Sequence, residues 1–356
     1  MPIFSAEYLE GLSTRIFQRC GAPEAEAQVV AELLVKADLM GLPSHGILRI
    51  PQYVADTGSG AIVPGVEIQV EHLKDTLIKV DGRWNFGQIV ATRAAELAIV
   101  AARQHGLACA SVRRCRHVGR LGAYTEMAAA QNCIGLATCS GAGEGHWVAP
   151  FGGRQGRLGT NPMSFAAPTS GFPILLDFST SSLPEGKVRL LRDTGAELPP
   201  MSLVDREGRP SVDPNDLYDQ DGQPAGAILP AGGEQGYKGY GLGLMCMILS
   251  SVLGEPTWLE EGIASHSNTM WLLAVDIEAC MSTNLLRREL DAVVEYICSA
   301  APAQGSSGVL MPGQREFESM AQFRREGVPV AEEVWDQIVE VATGLQVEVG
   351  MDKKKC

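Results

Sequence analysis

Apolar positions in the first quarter of the chain recur at helical spacing. Ser5 precedes a stripe of Leu9, Leu12, Ile16 and Phe17, its hydroxyl placed to cap the first turn, and Gly21 stops the run. Pro23 opens a second segment whose buried side is Val29, Val30, Leu33, Leu34 and Ala37, closed by Gly41. A third, short helix is expected over Arg49 to Asp56. From about residue 76 the pattern changes. Residues 76–80 (TLIKV) read as a strand, Phe86 to His105 as an amphipathic helix ended by Gly106, and LACASV as a second strand; Leu121 to Gln131 is helical and CIGLATCS is a buried strand. This alternation predicts an α/β core with at least partly parallel pairing. Residues 140–235 are rich in Gly and Pro, with short strands (MSFAAP, PILLDF) and one helix from Ser182 to Asp193; dense loops on a scaffold are where binding sites sit. An apolar helix from Gly239 to Leu253, a strand TMWLLAVD and helices over 283–300 and 330–345 complete the pattern.

Composition changes the picture mainly by exclusion. At 356 residues, 45% apolar and 20% charged, the chain is an ordinary globular one, long enough for two packed units or one large domain. A formal charge of −13 disfavours nucleic acid and anionic membrane as partners; the one basic run, Lys353 to Lys355, reads as a solvated tail. The 9 cysteines include no CxxC pair, which argues for free thiols in a reducing compartment. The N-terminus lacks a basic and apolar leader pattern, and the longest apolar stretch, Tyr240 to Leu253, is too short to span a bilayer. A cytoplasmic enzyme is the expectation. No metal is expected, because the 6 histidines show neither HxH nor HExxH spacing.

Ser140 to Gly145 (SGAGEG) follows a strand as a dinucleotide-binding loop does, yet His-Trp-Val-Ala-Pro follows where a helix must begin to face a pyrophosphate. A Rossmann site is therefore not expected. Gly41 to Tyr53 concentrates Ser44, His45 and Arg49 between two helices. Reducing a 2-oxo acid needs a proton donor at the carbonyl oxygen, which an imidazole supplies, and a fixed cation for the carboxylate, which a guanidinium fork supplies. A serine cap with a structural histidine fits the same residues. Arg113 to Tyr124 places His117 between Gly119 and a strand end, where α/β proteins hold ligands; a solvated basic loop fits equally. Gly159-Thr160-Asn161-Pro162 has turn chemistry. Asp177, directly after an apolar strand and followed by hydroxyl residues, could serve a nicotinamide ribose or carboxamide, or cap a helix. Lys238 follows a glycine-rich run at the start of an apolar helix, where a cation opposes the helix dipole; a bound phosphate or ribose would account for it.

Taken in order, SHGILRIPQY, HVGRLGAY, FGG followed by LGTNP, LLDFSTS with GKV, ILP followed by GYKGYGL, and MPG followed by EGVP resemble the malate/L-lactate dehydrogenase family over about residues 5–345. This non-Rossmann group also holds ureidoglycolate dehydrogenase, sulfolactate dehydrogenase, diketogulonate reductase and piperideine-2-carboxylate reductase. The resemblance implies an unusual mixed-sheet α/β fold, with a helical segment 1–75 contributing to the substrate site, a cofactor-binding core 76–310, and C-terminal helices and tail 311–356. It implies NAD or NADP as cofactor, a small carboxylate substrate and a homodimer. Carried onto matching positions, His45 with Ser44 beside it looks like the proton donor and acceptor, and His117 orients the substrate or shares the proton work. Arg49 and Tyr53 hold the substrate. The cofactor contacts implied are Thr160 and Asn161, Leu175 to Ser181 (Leu175, Leu176, Asp177, Phe178, Ser179, Thr180, Ser181), Tyr237, Lys238, Pro312 and Gly313. The expected reaction interconverts a 2-hydroxy acid and a 2-oxo acid, with reduction of a cyclic imine 2-carboxylate as the alternative within chemistry and a catalytically silent binding protein as the alternative outside it. The segment after GKV departs from the family pattern, reading Pro200 to Asp205 without a tryptophan.

Overall fold

The computed structural model describes residues 1–142, 146–254 and 267–350; most of the SGAGEG loop's tip and the lysine tail lie outside the described residues. The chain opens with β1 (Ile3–Phe4), α1 (Ala6–Arg19), α2 (Glu24–Leu39) and α3 (Ile50–Gly58). Ser5 Oγ accepts from Tyr8 N at 3.3 Å, the expected cap, and Gly21 and Gly41 end their helices at φ 89° and 73°, a region open to glycine at no steric cost. The core that follows is β2 (Gln69–Lys74), β3 (Leu77–Asp81), α4 (Gly87–His105), β4 (Leu107–Cys115), α5 (Gly122–Ala130), β5 (Cys133–Ala142), β6 (Met163–Ala167) and β7 (Ile174–Phe178). Then come α6 (Glu185–Asp193), short strands β8 (Leu203–Val204), β9 (Pro210–Ser211) and β10 (Ala227–Ile228), α7 (Tyr237–Met247), β11 (Ser267–Asp276), α8 (Thr283–Cys298), α9 (Gln314–Glu326), β12 (Val328–Pro329) and α10 (Glu332–Gly344).

The central sheet has 7 strands in the order β2-β3-β4-β11-β5-β6-β7. Only β3 and β4 pair in parallel, joined through α4. β4 and β5 also point the same way, but β11 is inserted between them, antiparallel to both, with Leu272 opposite Ala110 on one side and Ala137 on the other. The alternation of strands and helices foresees the crossovers; it carries no trace of a strand arriving from over a hundred residues downstream. β2 was not foreseen either, because its residues QVEHLK lie mostly exposed on a sheet edge, where burial imposes no alternation. β4 continues past the apolar run through Arg113 and Arg114, because Asp81 at the end of β3 pairs with both.

One face of the sheet packs against α4 through small residues: Val80, Ala108, Ala110, Val112 and Leu272 meet Val90, Ala91, Ala94 and Ala98, which lets helix and sheet approach closely. The opposite face is polar where α7 crosses it. There the helix ends in a π-wound stretch, Ile248–Val252, with Ser250 and Ser251 hydrogen-bonded to Thr138 and Thr269 at 2.8 and 2.7 Å, so buried hydroxyls satisfy one another. A second core joins the ends of the chain, with Leu12, Ile16, Phe17, Leu34 and Tyr53 packed with Phe86, Val328, Ile338 and Ala342. All 8 described cysteines are free, and no helix among the described residues is long and apolar enough to cross a membrane.

Candidate active site

Two short 3-10 turns, Pro43–His45 and Ile47–Arg49, join α2 to α3 and carry three of the residues singled out above. The turns are held from beneath. Asp38, buried in the last turn of α2, accepts the Ile47 amide at 2.8 Å, and burial raises its carboxyl to about 7. Gly46 is pressed against it, so that a Cβ there would lie 2.0 Å from Asp38 Oδ1. A carboxylate at a helix C-terminus is opposed by the helix dipole; its bond to the loop gives it another role. Above it, Ser44 Oγ meets His45 Nδ1 at 3.0 Å. The Arg49 guanidinium is fixed by Nε to Ser44 O at 2.8 Å and Nη1 to Gln52 Oε1 at 2.9 Å, with Nη2 lacking an acceptor among the described residues.

His117 comes from the loop between β4 and α5, and its ring stacks on His45 with centroids 5.7 Å apart at 20°. Tyr53 is buried and its hydroxyl lies 2.7 Å from His117 Nδ1, while accepting from Gln88 Nε2 at 2.7 Å. The Tyr53 hydroxyl thus joins Gln88 to the His117 ring, and burial holds it protonated by raising it to about 12. Tyr53, expected to hold the substrate, here has its hydroxyl against the His117 imidazole. Gln88 escaped the sequence reading; the available signal was a polar side chain in the first turn of an otherwise apolar helix face. His45 is depressed to about 4, first by burial and then by the Arg49 and Arg120 guanidiniums, so it is neutral at pH 7 in the free protein.

The loop then leads to the second group of expected residues. Gly122 N, at the start of α5, donates to Asp177 Oδ2 at 2.6 Å, so Asp177 caps a helix remote in sequence rather than its own. Burial lifts its carboxyl to about 6 against the pull of that amide and of Arg120. Asp177 is the last but one residue of β7, an edge strand whose Leu175 N donates to Pro312 O at 3.1 Å; Gly313, at φ 86°, lies so close that a Cβ would come 2.8 Å from that of Leu175. On the other side, Thr180 N donates to Thr160 O at 3.0 Å and its hydroxyl to Asn161 O at 3.0 Å, while Asn161 Nδ2 donates to Gly243 O of α7 at 2.9 Å. Ser181 Oγ donates to Leu183 O at 2.8 Å and meets Ser179 Oγ at 3.2 Å. At the amino end of α7, Lys238 is exposed, bonded to Gln235 and 5.9 Å above the Tyr237 ring. The expected residues thus fall into a cluster of Ser44, His45, Arg49, Tyr53 and His117 and a strip running from Asp177 through Thr180 and Thr160 to the start of α7, the β4–α5 loop leading from one to the other at the Gly122–Asp177 bond. Leu175 and Asn161 lie inside it, at 3% and 1% exposure, and Leu176 faces out.

The sequence model of the malate/L-lactate dehydrogenase family matches residues 4–339. The chain belongs to that family. Within it, the malate dehydrogenase of Pyrococcus horikoshii is 32% identical over 342 residues, covering 94% of this chain and 93% of that protein. The sulfolactate dehydrogenase structure from Methanocaldococcus jannaschii superposes with a TM-score of 0.87 at 29% identity, covering 98% of each chain. The Δ1-piperideine-2-carboxylate reductase structure from Pseudomonas syringae gives 0.82 at 28% identity, covering 96% of this chain and 100% of that one. Family membership implies a nicotinamide cofactor. The residues along the strip fit one: Asp177 has an oxygen without a donor among the described residues, Leu176 offers an exposed apolar face, and Lys238 an exposed ammonium.

Proposed function

We propose that this dehydrogenase interconverts a small 2-hydroxy acid and its 2-oxo acid with NADH or NADPH as partner. The observation that carries the reading is the loop bearing His45 and Arg49, in which an imidazole backed by Ser44 sits beside a guanidinium already locked by Ser44 O and Gln52. Arg49 takes the 2-carboxylate through its remaining protons, which fixes the 2-carbon next to His45. In the reductive direction His45 gives a proton to the carbonyl oxygen; in the oxidative direction it removes the hydroxyl proton. Ser44 Oγ serves both, since a hydroxyl can accept from Nδ1 or donate to it as the ring changes state. His117, held by the Tyr53 hydroxyl and stacked on His45, orients the substrate oxygen. The nicotinamide, when bound, supplies or takes the hydride at the 2-carbon. Leu176, Asp177, Phe178, the Pro312–Gly313 turn, Tyr237 and Lys238 would hold it, with Thr160, Asn161, Leu175 and Ser179 to Ser181 shaping the strip beneath.

A panel of 2-oxo acids and cyclic imine 2-carboxylates, each assayed with NADH and NADPH at the nicotinamide absorbance band, tests the reading. The likeness to the piperideine-2-carboxylate reductase structure favours the imine as second reading, and preferential turnover of imines would select it. Absence of turnover on every member of the panel would overturn both. Arg49→Lys raises KM for the 2-oxo acid by about tenfold or more with a smaller change in kcat, because a point charge cannot replace the planar fork; an unchanged KM would remove Arg49 from the carboxylate.

The same reading includes a homodimer. Leu244, Met245, Ile248, Val252 and Leu253 are exposed along α7 and its π-wound end, an apolar face of the kind that a partner subunit covers. Light scattering is expected to give twice the 38.0 kDa chain mass, and Ile248→Asp to return it to one chain; a monomeric parent protein would sink this.

A further inference from the structure

The open edge of Arg49 faces a helix with no part in the chemistry proposed above. That helix, α6, is pinned from behind: Val188 is buried with Val148, Leu198, Leu203 and Leu217, and the Arg192 guanidinium lies 4.5 Å over the Tyr218 ring. Its first turn carries Glu185 and Gly186. A Cβ built on Gly186 would meet one atom within 4 Å, Arg49 Nη2 at 4.0 Å, and Nη2 is the guanidinium nitrogen that lacks an acceptor among the described residues. Nothing among the described residues requires glycine there. Its backbone is helical, an added methyl would displace no atom of the fold, and alanine would favour the helix. Glu185, the carboxylate in the same turn, does not close the gap, because it accepts from Arg189 Nη2 at 2.8 Å and from the Tyr218 hydroxyl at 2.9 Å. A fixed guanidinium with an open donor edge, a missing side chain in front of it and a neighbouring acid tied elsewhere leave room for an acceptor from outside the chain.

We propose that Gly186 is a specificity residue, and that the gap between the first turn of α6 and Arg49 Nη2 receives one oxygen of the substrate's 2-carboxylate; this rests on Arg49 taking that carboxylate and adds the opposite wall of the site. The distances decide what fits. A carboxylate oxygen bonds to a guanidinium nitrogen at about 2.9 Å, so on the line from Nη2 towards residue 186 it would stand only about 1.1 Å from an added methyl carbon. Contact between carbon and oxygen needs roughly 3.3 Å. The methyl therefore takes the oxygen's place. It leaves the guanidinium where it is, since 4.0 Å is ordinary van der Waals contact, and so removes the acceptor's position without moving the donor.

The test measures steady-state kinetics on the best-used 2-oxo acid, cofactor affinity by fluorescence titration and a thermal melt. It is made on the parent, Gly186→Ala, Arg49→Lys and the double variant. Gly186→Ala is expected to raise KM about tenfold or more and to change kcat less than about threefold, with cofactor affinity kept and a melt no lower than the parent's. In the Arg49→Lys background the fork edge is gone, and the same substitution is expected to change KM less than about threefold. A glycine that serves only the fold gives the opposite pattern, a lower melt with KM unchanged. That pattern, or a KM effect of equal size in both backgrounds, overturns the proposal; should melt and KM both suffer, the comparison of backgrounds decides. Should no 2-oxo acid or cyclic imine be turned over with either cofactor, the functional reading fails by itself. Calorimetry with oxamate, a small carboxylate with an amide at the next carbon, then decides for Gly186: binding to the parent that Gly186→Ala weakens tenfold or more upholds the gap, and equal binding or none overturns it.

Discussion

His45→Ala lowers kcat/KM for the 2-oxo acid by about a thousandfold, within the range typical for loss of a general acid–base group, while binding of the reduced cofactor persists. The division follows from the geometry. His45 sits on the loop between α2 and α3 and meets Ser44 and His117, whereas the candidate cofactor strip runs along β7 and the start of α7. Fluorescence titration with NADH or NADPH separates the two effects, and a variant that loses cofactor binding along with turnover would reject the assignment. The pH dependence has a definite sign. Burial, Arg49 and Arg120 hold His45 near 4 in the free protein, and kcat/KM reports the free protein. As the base of hydroxy-acid oxidation it is therefore ready far below the usual imidazole range, and kcat/KM in that direction stays level as pH falls from 8 to about 5. An unperturbed imidazole would make it fall from about 6.5. Asp177, raised to about 6, titrates in the same window, so the comparison is made in parent and Asp177→Asn proteins. A limb near 6.5 present in both would place His45 in solvent.

What could be read from the sequence divides along a physical line. Local rules were sufficient for α1, where a cap, a period and a following glycine coincide, for α2 and α4, where a period and a following glycine do, for the period of α5, and for the clustering of Ser44, His45 and Arg49, which lie within six residues of one another. Residues whose roles depend on distant contacts were not readable. Tyr53 lies four residues beyond Arg49 and was grouped with it, but at helical spacing it turns inward to Phe17, Phe86 and His117. The sequence around Asp177 allows a cofactor contact or a cap for a helix; its carboxylate meets the start of α5, fifty-five residues earlier, and only the fold brings them together. Arg120 is one basic residue among several in the Arg113 to Tyr124 segment, and the Lys36 of α2 that shares its Glu126 partner lies ninety residues from that carboxylate. The insertion of β11 is the same lesson at the scale of the sheet. A strand's partners are set by topology, and its own alternation says only that it has two faces.

Gly87→Ala is expected to damage the site from a position that touches no ligand. Gly87 is the first residue of α4, and a Cβ there would stand 2.2 Å from Arg116 O and 2.3 Å from His117 O. Both are backbone atoms, so no rotamer relieves the overlap; the loop must retreat by roughly 1 Å to reach van der Waals separation. That loop carries His117, and the residue after Gly87 is Gln88, which donates to the Tyr53 hydroxyl that meets His117 Nδ1. A shift of about 1 Å in a positioning contact costs on the order of a hundredfold in rate, and overpacking of this kind costs about 1–3 kcal/mol in stability. The variant is thus expected to melt several degrees lower and to lose kcat/KM about a hundredfold, with the cofactor still bound. Gly58→Ala, in the last turn of α3 with nothing within 4 Å of the added methyl, serves as the control and leaves both measurements near the parent. If Gly87→Ala behaved like Gly58→Ala, the β4–α5 loop would not rest on the start of α4, and the chain of hydrogen bonds from Gln88 to His117 would lose its support.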